Sequence, residues 1–178
     1  MLDTLDLIPF EKLDKDLKRA ATSLSPGEAR YMVDAYYGIQ GYRIRFGNQI
    51  RATTEAGEPH DLLRWMYTNA EGLEKNIQKA LDAYSRSQHI GIWMRSIPGI
   101  GPVIASGFLA HVNIEKAPYA GNLLSYAGLN PEVHWEKGEK RPWNADLKKL
   151  AVFLLGESFI KVQAHRRDIY GKIYARRK

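Results

Sequence analysis

The sequence contains no cysteine among its 178 residues. This absence excludes disulfide bonds, thiolate zinc sites and thiol nucleophiles within the chain. The five histidines are scattered and form no His-x-x-x-His pair, which argues against a transition-metal site made by this chain alone. The sequence also lacks the roughly 18 consecutive apolar residues that a membrane-spanning helix needs.

The composition is that of a folded protein. Apolar residues make up 44% of the sequence and charged residues 26%, values typical of a globular domain with one hydrophobic core. The first six residues are acidic, whereas signal and transit peptides are basic. We therefore expect a cytoplasmic protein.

Positive charge is concentrated near the C-terminus. The chain carries a net charge of +6. Residues 134–178 hold 12 Lys and Arg against 5 Asp and Glu, while the rest of the sequence holds 14 against 15. This asymmetry favours a polyanionic partner at the C-terminal end, and a solubilising basic tail is the alternative.

The first half of the sequence predicts a leader at 1–24 and a long helical hairpin at 25–86. Ser25 can cap a helix, Pro26 suits its first position, and Glu28 completes a capping box. A turn is predicted where Ala-Gly-Glu-Pro follows, before the second helix. Three glycines interrupt the first helix, and close approach of the second helix is expected at each of them: Gly38, Gly41 and Gly47.

The second helix of the hairpin, at about 61–84, has the clearest apolar periodicity. Its apolar residues alternate spacings of three and four, as in the seam of a coiled coil. They are Leu63, Met66, Ala70, Leu73, Ile77, Ala80 and Tyr84. Two long helices joined by a short turn should pack antiparallel. The stripe can be buried within the chain or can pair with a second copy as a homo-oligomer, and both alternatives stay open.

Residues 87–178 predict short helices separated by glycine and proline, which we assign to a second, compact domain. These helices are expected at about 91–96, 102–112, 119–127, 144–165 and 167–177. A loop or a small β-hairpin is predicted at 128–143. The fold class expected for the whole chain is all-α.

The hexapeptide Ile-Pro-Gly-Ile-Gly-Pro at 97–102 is typical of a helix-hairpin-helix turn. Gly99 and Gly101 can adopt positive φ and allow a foreign group close to the backbone. Free amides near Gly101 and Val103, at the start of a helix, can bind a phosphate. Such a site reads no base edges, so binding should be sequence-tolerant and salt-sensitive. Gly99, Ile100, Gly101 and Val103 are the predicted contacts, and a tight turn without a ligand is the alternative.

The predicted loop at 128–143 is rich in cations and tryptophan. Lysine and arginine suit phosphates, and an exposed indole can stack on an unpaired base. The candidate contacts in the loop and the helix after it are Trp135, Lys137, Lys140, Arg141, Trp143, Lys148 and Lys149. For each tryptophan the alternative is burial that pins the loop.

Acidic residues of the same region suggest a rival function. A metal-dependent nuclease needs two or three converging carboxylates. The candidates are Glu132, Glu136, Glu139 and Asp146. Their spacing is that of a loop and gives no reason to expect convergence. Ser125 and Ser158 lie in predicted helices without a histidine and an aspartate at motif spacing, so we expect a non-catalytic protein.

Residues from about 96 to 155 resemble the C-terminal domain of the bridge-RNA-guided insertion-sequence transposases, the insertion sequence one-ten group. The similar stretches are the hexapeptide at 97–102, the helix at 103–109, and Leu-Ser-Tyr-Ala-Gly-Leu-Asn-Pro at 124–131. The predicted hairpin also lies where that family carries a coiled coil. The resemblance implies a DNA- or RNA-binding protein of a mobile element or phage, in the cytoplasm of a bacterial or phage-infected cell. It also implies a K⁺ or Na⁺ ion in the hairpin turn.

Two features of that family have no counterpart in this sequence. The family begins with a RuvC-like nuclease domain bearing four acidic residues, for which this chain has no room. Its C-terminal domain supplies a nucleophilic serine after Ala-Gly-Leu-x-Pro, where this chain reads His-Trp-Glu-Lys-Gly at 134–138. We therefore expect sequence-tolerant nucleic-acid binding, with DNA favoured, by a transposase-like but non-catalytic protein. The alternatives are a nuclease or recombinase remnant and a protein-interaction module that uses the hairpin.

Overall fold

The computed structural model describes residues 12–57, 60–160 and 169–177. Within these ranges the chain forms eight α-helices and no strand, which confirms the all-α fold. None of the helices in the described ranges is long and apolar enough to cross a membrane. The helices are α1 (Lys15–Ala20), α2 (Pro26–Glu55), α3 (Asp61–Arg86), α4 (His89–Ser96), α5 (Pro102–His111), α6 (Ala120–Tyr126), α7 (Ala145–Lys149) and α8 (Ile169–Arg177).

Helix α2 begins with the predicted capping box. The side chain of Ser25 accepts a hydrogen bond from the Glu28 amide at 3.3 Å, and the Glu28 carboxylate accepts one from the Ser25 amide at 2.8 Å. Two amides that lack helical partners are thereby satisfied. The hydrogen bonds from Ser25 also hold the pKa of the Glu28 carboxyl below its usual value.

Helices α2 and α3 form the antiparallel hairpin that the sequence predicts. Val33 and Ile77 share a core cluster near the base of the hairpin. Near its turn, a Cβ atom built on Gly47 would lie 3.3 Å from the Tyr67 ring. The apolar stripe of α3 is buried at Ile77, Ala80 and Tyr84, toward the base. Nearer the turn it is only half-buried, and Leu73 is 39% exposed.

The expectation of close helix approach at the glycines of α2 holds at Gly47 but is wrong at Gly38 and Gly41. A Cβ atom at either of these positions would meet no heavy atom within 4 Å. Their lack of a side chain is therefore not needed for packing.

A buried polar group crosses the hairpin. Glu74 is 8% exposed and forms an ion pair with Arg43. Gln40 Nε2 also donates a hydrogen bond to Glu74 Oε1 at 3.1 Å. Because a buried carboxylate without partners is costly, this group favours one register of α2 against α3.

Helix α5 lies between the base of the hairpin and the helix that starts at 145. Val103 joins the core cluster of the hairpin, and Ser106 Oγ donates a hydrogen bond to the Leu81 carbonyl at 2.9 Å. On another side, Leu150 packs so closely that a Cβ atom at Gly107 would lie 2.8 Å from it. The hairpin base and the second half of the chain thus share a core. A domain boundary near residue 87 stays a prediction.

The segment at 128–143 is a loop of turns rather than a β-hairpin. After it, Asn144 caps α7 as predicted, because its Oδ1 accepts hydrogen bonds from the amides of Asp146 and Leu147. Helix α7 continues through a π-helical segment, Leu150–Leu155, to residue 160. The rest of the predicted 144–165 helix and the cations at 161–168 lie outside the described residues.

Candidate nucleic-acid interface

The turn between α4 and α5 has the backbone of a type II β-turn. The Ile100 amide donates a hydrogen bond to the Ile97 carbonyl at 3.1 Å, and Gly99 has a φ of 95°. Pro98 occupies the turn position at which proline is favoured. The positive φ that the sequence predicts at Gly99 is therefore present. Gly101 has a φ of −81°, which any residue adopts, so the same prediction is wrong there.

Gly99 faces the protein interior. A Cβ atom built on it would lie 2.8 Å from the Phe159 ring, and Ser158 Oγ donates a hydrogen bond to its carbonyl at 2.5 Å. The Ile100 side chain is buried in a core cluster with Met94. Protein atoms thus fill the space on the Cβ side of Gly99 and around the Ile100 side chain. A phosphate contact at these two residues stays a prediction, and it would have to be made by their backbone.

The start of α5 is more open. A Cβ atom on Gly101 would meet no heavy atom within 4 Å, and no side chain caps this helix. In the part of the chain that the structure describes, the amides of Gly101 and Val103 donate to no protein acceptor. Pro102 lies between them and has no N–H to satisfy. The Gly99 amide also donates to no described acceptor, so three of the four predicted turn contacts keep free backbone donors.

The carbonyl groups of the turn do not fit a monovalent cation. Those of Ile97 and Gly99 accept the hydrogen bonds from Ile100 and Ser158. The Ile100 carbonyl lies 3.5 Å from Arg95 Nη1, which donates to it. K⁺ or Na⁺ would need several of these oxygens and would be repelled by the guanidinium group.

The loop at 128–143 is ordered by alternating cations and indole rings. The rings of Trp135 and Trp143 meet edge to face with centroids 6.0 Å apart. Arg141 Cζ lies 5.3 Å from the Trp135 centroid, and Lys148 Nζ lies 4.4 Å from the Trp143 centroid. Both distances are those of cation–π contacts. We call these four residues the cation–aromatic cluster.

Both indoles of the cluster are held by the protein itself. Trp135 Nε1 donates a hydrogen bond to the Glu139 carbonyl at 2.8 Å. Trp143 packs against Gly128, where a Cβ atom would lie 2.6 Å from the ring and φ is 65°. Both tryptophans are half-buried. The interpretation that they pin the loop therefore fits better than a pair of free stacking platforms.

The cations of this region are available to a ligand. No carboxylate of the described residues lies within 4.0 Å of their charged nitrogens, the criterion for an ion pair. They are Lys137, Lys140, Arg141, Lys148 and Lys149. All but the half-buried Lys148 are exposed.

The turn and the cation–aromatic cluster lie at opposite ends of α5. Phe159 packs on the turn, whereas Leu147 packs with Phe108 toward the C-terminal end of α5, next to the loop. Helix α5 has 10 residues, so its ends are about 15 Å apart. The basic loop and the start of α5 are therefore separated by the length of that helix.

The candidate catalytic residues form no larger metal-binding group in the part of the chain that the structure describes. Among the described residues, no group of three or more His, Asp or Glu side chains could hold a metal ion. The two serines make only structural hydrogen bonds: Ser125 Oγ accepts one from Asn130 Nδ2 at 3.3 Å, and Ser158 donates to the turn. The nuclease alternative thus gains no geometric support from Glu132, Glu136, Glu139 and Asp146.

A groove that the sequence does not predict lies beside the C-terminal end of α5, with a volume of about 990 Å³. Helix α6, which has no buried residue, contributes to one wall. Asn144 Nδ2 lies 3.4 Å from His111 Nδ1 and donates a hydrogen bond to the Tyr126 hydroxyl at 3.0 Å. Burial, and then the nearby charge of Arg30, lower the pKa of His111.

Comparison with known proteins relates one segment to transposases. Residues 93–142 match the model of the Transposase IS116/IS110/IS902 family. The match covers less than a third of the 178 residues and includes the turn, α5, α6 and most of the loop. No curated protein and no solved structure matches the chain. The resemblance of this segment to that transposase family is thus confirmed.

Proposed function

We propose that this chain is a transposase-like protein of a mobile element that binds the nucleic-acid backbone, with DNA favoured, without reading bases. The observation that carries the proposal is the cation–aromatic cluster, in which two cations are ordered on half-buried indoles. Three of its four residues fall at the end of, or directly after, the segment that matches a transposase family.

The cluster lowers the entropic cost of binding a phosphate. A lysine or arginine side chain carries roughly 2 kcal/mol of rotamer entropy, part of which a contact must remove. Arg141 and Lys148 already rest on indole rings, so less of that freedom remains to be lost. Lys137, Lys140 and Lys149 add unpaired charge nearby. Binding by such a surface releases counterions and weakens as salt rises.

The start of α5 supplies a second contact, made by the amides of Gly101 and Val103. A helix N-terminus with free amides stabilises a phosphate oxygen. The length of α5, about 15 Å, corresponds to about four base-pair rises of 3.4 Å along a duplex. A duplex of at least about five base pairs is therefore needed to reach both contacts, and shorter duplexes should bind much more weakly.

The test is a binding titration of a fluorescent duplex over a series of salt concentrations. Replacing Lys140 and Arg141 together by glutamine should flatten the slope of log K against log salt by about 1.8, since each lost phosphate contact removes about 0.9. The matched control replaces Lys15 and Lys18, two exposed cations of α1, and should keep the slope. Equal slopes in the two variants, or no binding at low salt, would overturn the proposal.

A second candidate function is self-association through the hairpin. Leu62, Trp65 and Leu73 lie on one side of α3 near the hairpin turn and are 55%, 49% and 39% exposed. Two copies of such a side can pair about a two-fold axis. Replacing Trp65 and Leu73 by lysine should then lower the mass measured by sedimentation, whereas lysines at the exposed positions Thr68 and Gln78 should not. A monomeric wild type would exclude this function.

A further inference from the structure

The groove beside α5 is lined by both apolar and charged side chains. Apolar side chains cover most of it, and among them Ile90 and Ile114 are 48% and 57% exposed. Two cations, Arg30 and Lys116, lie at the same groove, and Glu115 is the one carboxylate among the described residues that line it. Neither cation forms an ion pair with a described carboxylate. The groove thus combines an apolar interior with available positive charge.

The last residues of α5 also line the groove. The carbonyl groups of Leu109, Ala110 and His111 have no donor among the described residues. Helix C-termini carry partial negative charge, so these carbonyls suit a neutral ligand with N–H groups rather than an anion. The His111 ring adds a polar group beside them, and the same surroundings that lower its pKa favour the neutral ring.

This combination matches the parts of a nucleotide. A base is a flat apolar ring with amino or imino donors at its edge, and a phosphate carries the negative charge that Arg30 and Lys116 attract. The volume of about 990 Å³ lies at the upper end of the range of about 300–1,000 Å³ that small-ligand pockets occupy. A paired base could not enter, because it is stacked within the duplex and held by its partner.

We propose that the groove beside α5 holds an unpaired nucleotide of a single nucleic-acid strand. The base lies among the apolar walls and the α5 carbonyls, and its phosphate is bound by Arg30 and Lys116. This inference rests on the proposed function and extends it from the backbone of nucleic acid to an unpaired position within it.

The groove is connected to the cation–aromatic cluster, and this connection favours a nucleic-acid strand over a free nucleotide as the ligand. Asn144 connects the two surfaces, because its amide nitrogens donate to the Tyr126 carbonyl at 2.9 Å and to the Tyr126 hydroxyl at 3.0 Å. The preceding residue is Trp143, whose ring makes the cation–π contact with Lys148 in the cluster. A strand that leaves the groove therefore meets further cations, whereas a free nucleotide gains nothing from them.

The first experiment measures the affinity of a short single-stranded oligonucleotide. Replacing Arg30 and Lys116 by glutamine should weaken binding by about tenfold, the effect of losing charge-assisted phosphate contacts. The matched control replaces Arg64 and Lys79, two exposed cations of α3, and should stay within about twofold of the wild type. Thermal unfolding of both variants checks that each is folded. Equal affinities of the two folded variants would overturn the inference.

Three further arms separate the outcomes. A strand with a photoreactive halogenated base should crosslink to Tyr126, and adducts confined to Trp135 or Trp143 would place the base on the cluster instead. A nucleoside monophosphate that binds as tightly as the strand would overturn the choice of a strand. If duplex binding persists while the groove variants match their control, this inference alone fails. If neither duplex nor strand binds, the proposed function fails with it.

Discussion

The hydroxyl group of Ser158 donates a hydrogen bond to the carbonyl oxygen of Gly99 at 2.5 Å, between residues 59 positions apart. This contact ties the turn of the helix-hairpin-helix motif to the end of the helix that starts at α7. Phe159 covers the same glycine. The sequence of the turn is typical of ligand binding, yet part of the turn is packed against the protein. Its two glycines therefore have different roles: Gly99 is packed, and Gly101 is open.

Replacing Gly99 by alanine should destabilise the fold by about 1–3 kcal/mol. A side chain at a φ of 95° is strained, and the new Cβ atom would lie 2.8 Å from Phe159. Gly101→Ala is the matched control, since its φ of −81° is ordinary and its surroundings are open. Denaturant unfolding of both variants measures the difference. Equal midpoints would contradict the separate roles assigned to the two glycines.

Alanine at Gly38 or Gly41 should stabilise the protein by about 0.5–1 kcal/mol each. Both glycines lie inside α2 with no heavy atom within 4 Å of an added Cβ atom, so alanine gains helix propensity without a clash. Gly91→Ala is the opposite case, because its Cβ atom would lie 1.9 Å from the Ser85 carbonyl oxygen. Melting temperatures should rise for the first two variants and fall for the third.

The elements that the sequence predicts correctly depend on neighbours in the chain. The Ser25 capping box, the Asn144 cap and the antiparallel hairpin all follow from spacings of a few residues or from a short turn. Contacts between residues that are distant in the sequence cannot be predicted from such local patterns. The glycines show this most clearly: the same residue type faces solvent at Gly38, a tyrosine at Gly47 and a buried leucine at Gly107.

The candidate site shows the same limit. Its residue types follow from the charge and tryptophan content of 128–143, but their arrangement does not. Trp143 packs on Gly128, and the loop contacts the end of α5 that is distant from the turn. Both features depend on how α7 packs along α5. One wall of the groove is formed by α6, which has no buried residue, and the sequence offers no periodic signal for such a helix.

Removing the carboxylate of Glu74 should cost about 1–3 kcal/mol of unfolding free energy. Glu74→Ala removes the ion pair with Arg43 and the hydrogen bond from Gln40, and leaves the partly exposed Arg43 without its carboxylate. Glu71→Ala is the matched control, because Glu71 pairs with Lys75 at 3.0 Å on the surface of the same helix. Its loss should cost less than about 0.5 kcal/mol. Similar costs for the two variants would show that the buried pair does not set hairpin stability.

His111 should make the fold less stable in mild acid. Burial, then the charge of Arg30, lower its folded-state pKa below 6.5, against the opposing charges of Asp146 and Asp34. The unfolded chain therefore takes up this proton first, so stability present above pH 6.5 falls as the pH drops through that value toward the lower folded pKa. His111→Gln should flatten this part of a plot of unfolding free energy against pH. An unchanged slope in the variant would show that other groups cause the loss.

A bulky side chain at Gly101 should weaken nucleic-acid binding without harming the fold. Valine fits the extended backbone there, which precedes a proline, and its Cβ atom meets no atom within 4 Å, yet the side chain covers the free amides at the start of α5. Because the amides contact a phosphate and carry no net charge, Gly101→Val should lower affinity about equally for all sequences while leaving the salt slope nearly unchanged. Gly41→Val, at an equally open position in α2, should bind like the wild type. If Gly101→Val is folded and binds duplexes normally, the start of α5 makes no phosphate contact, and the cation–aromatic cluster must account for the binding.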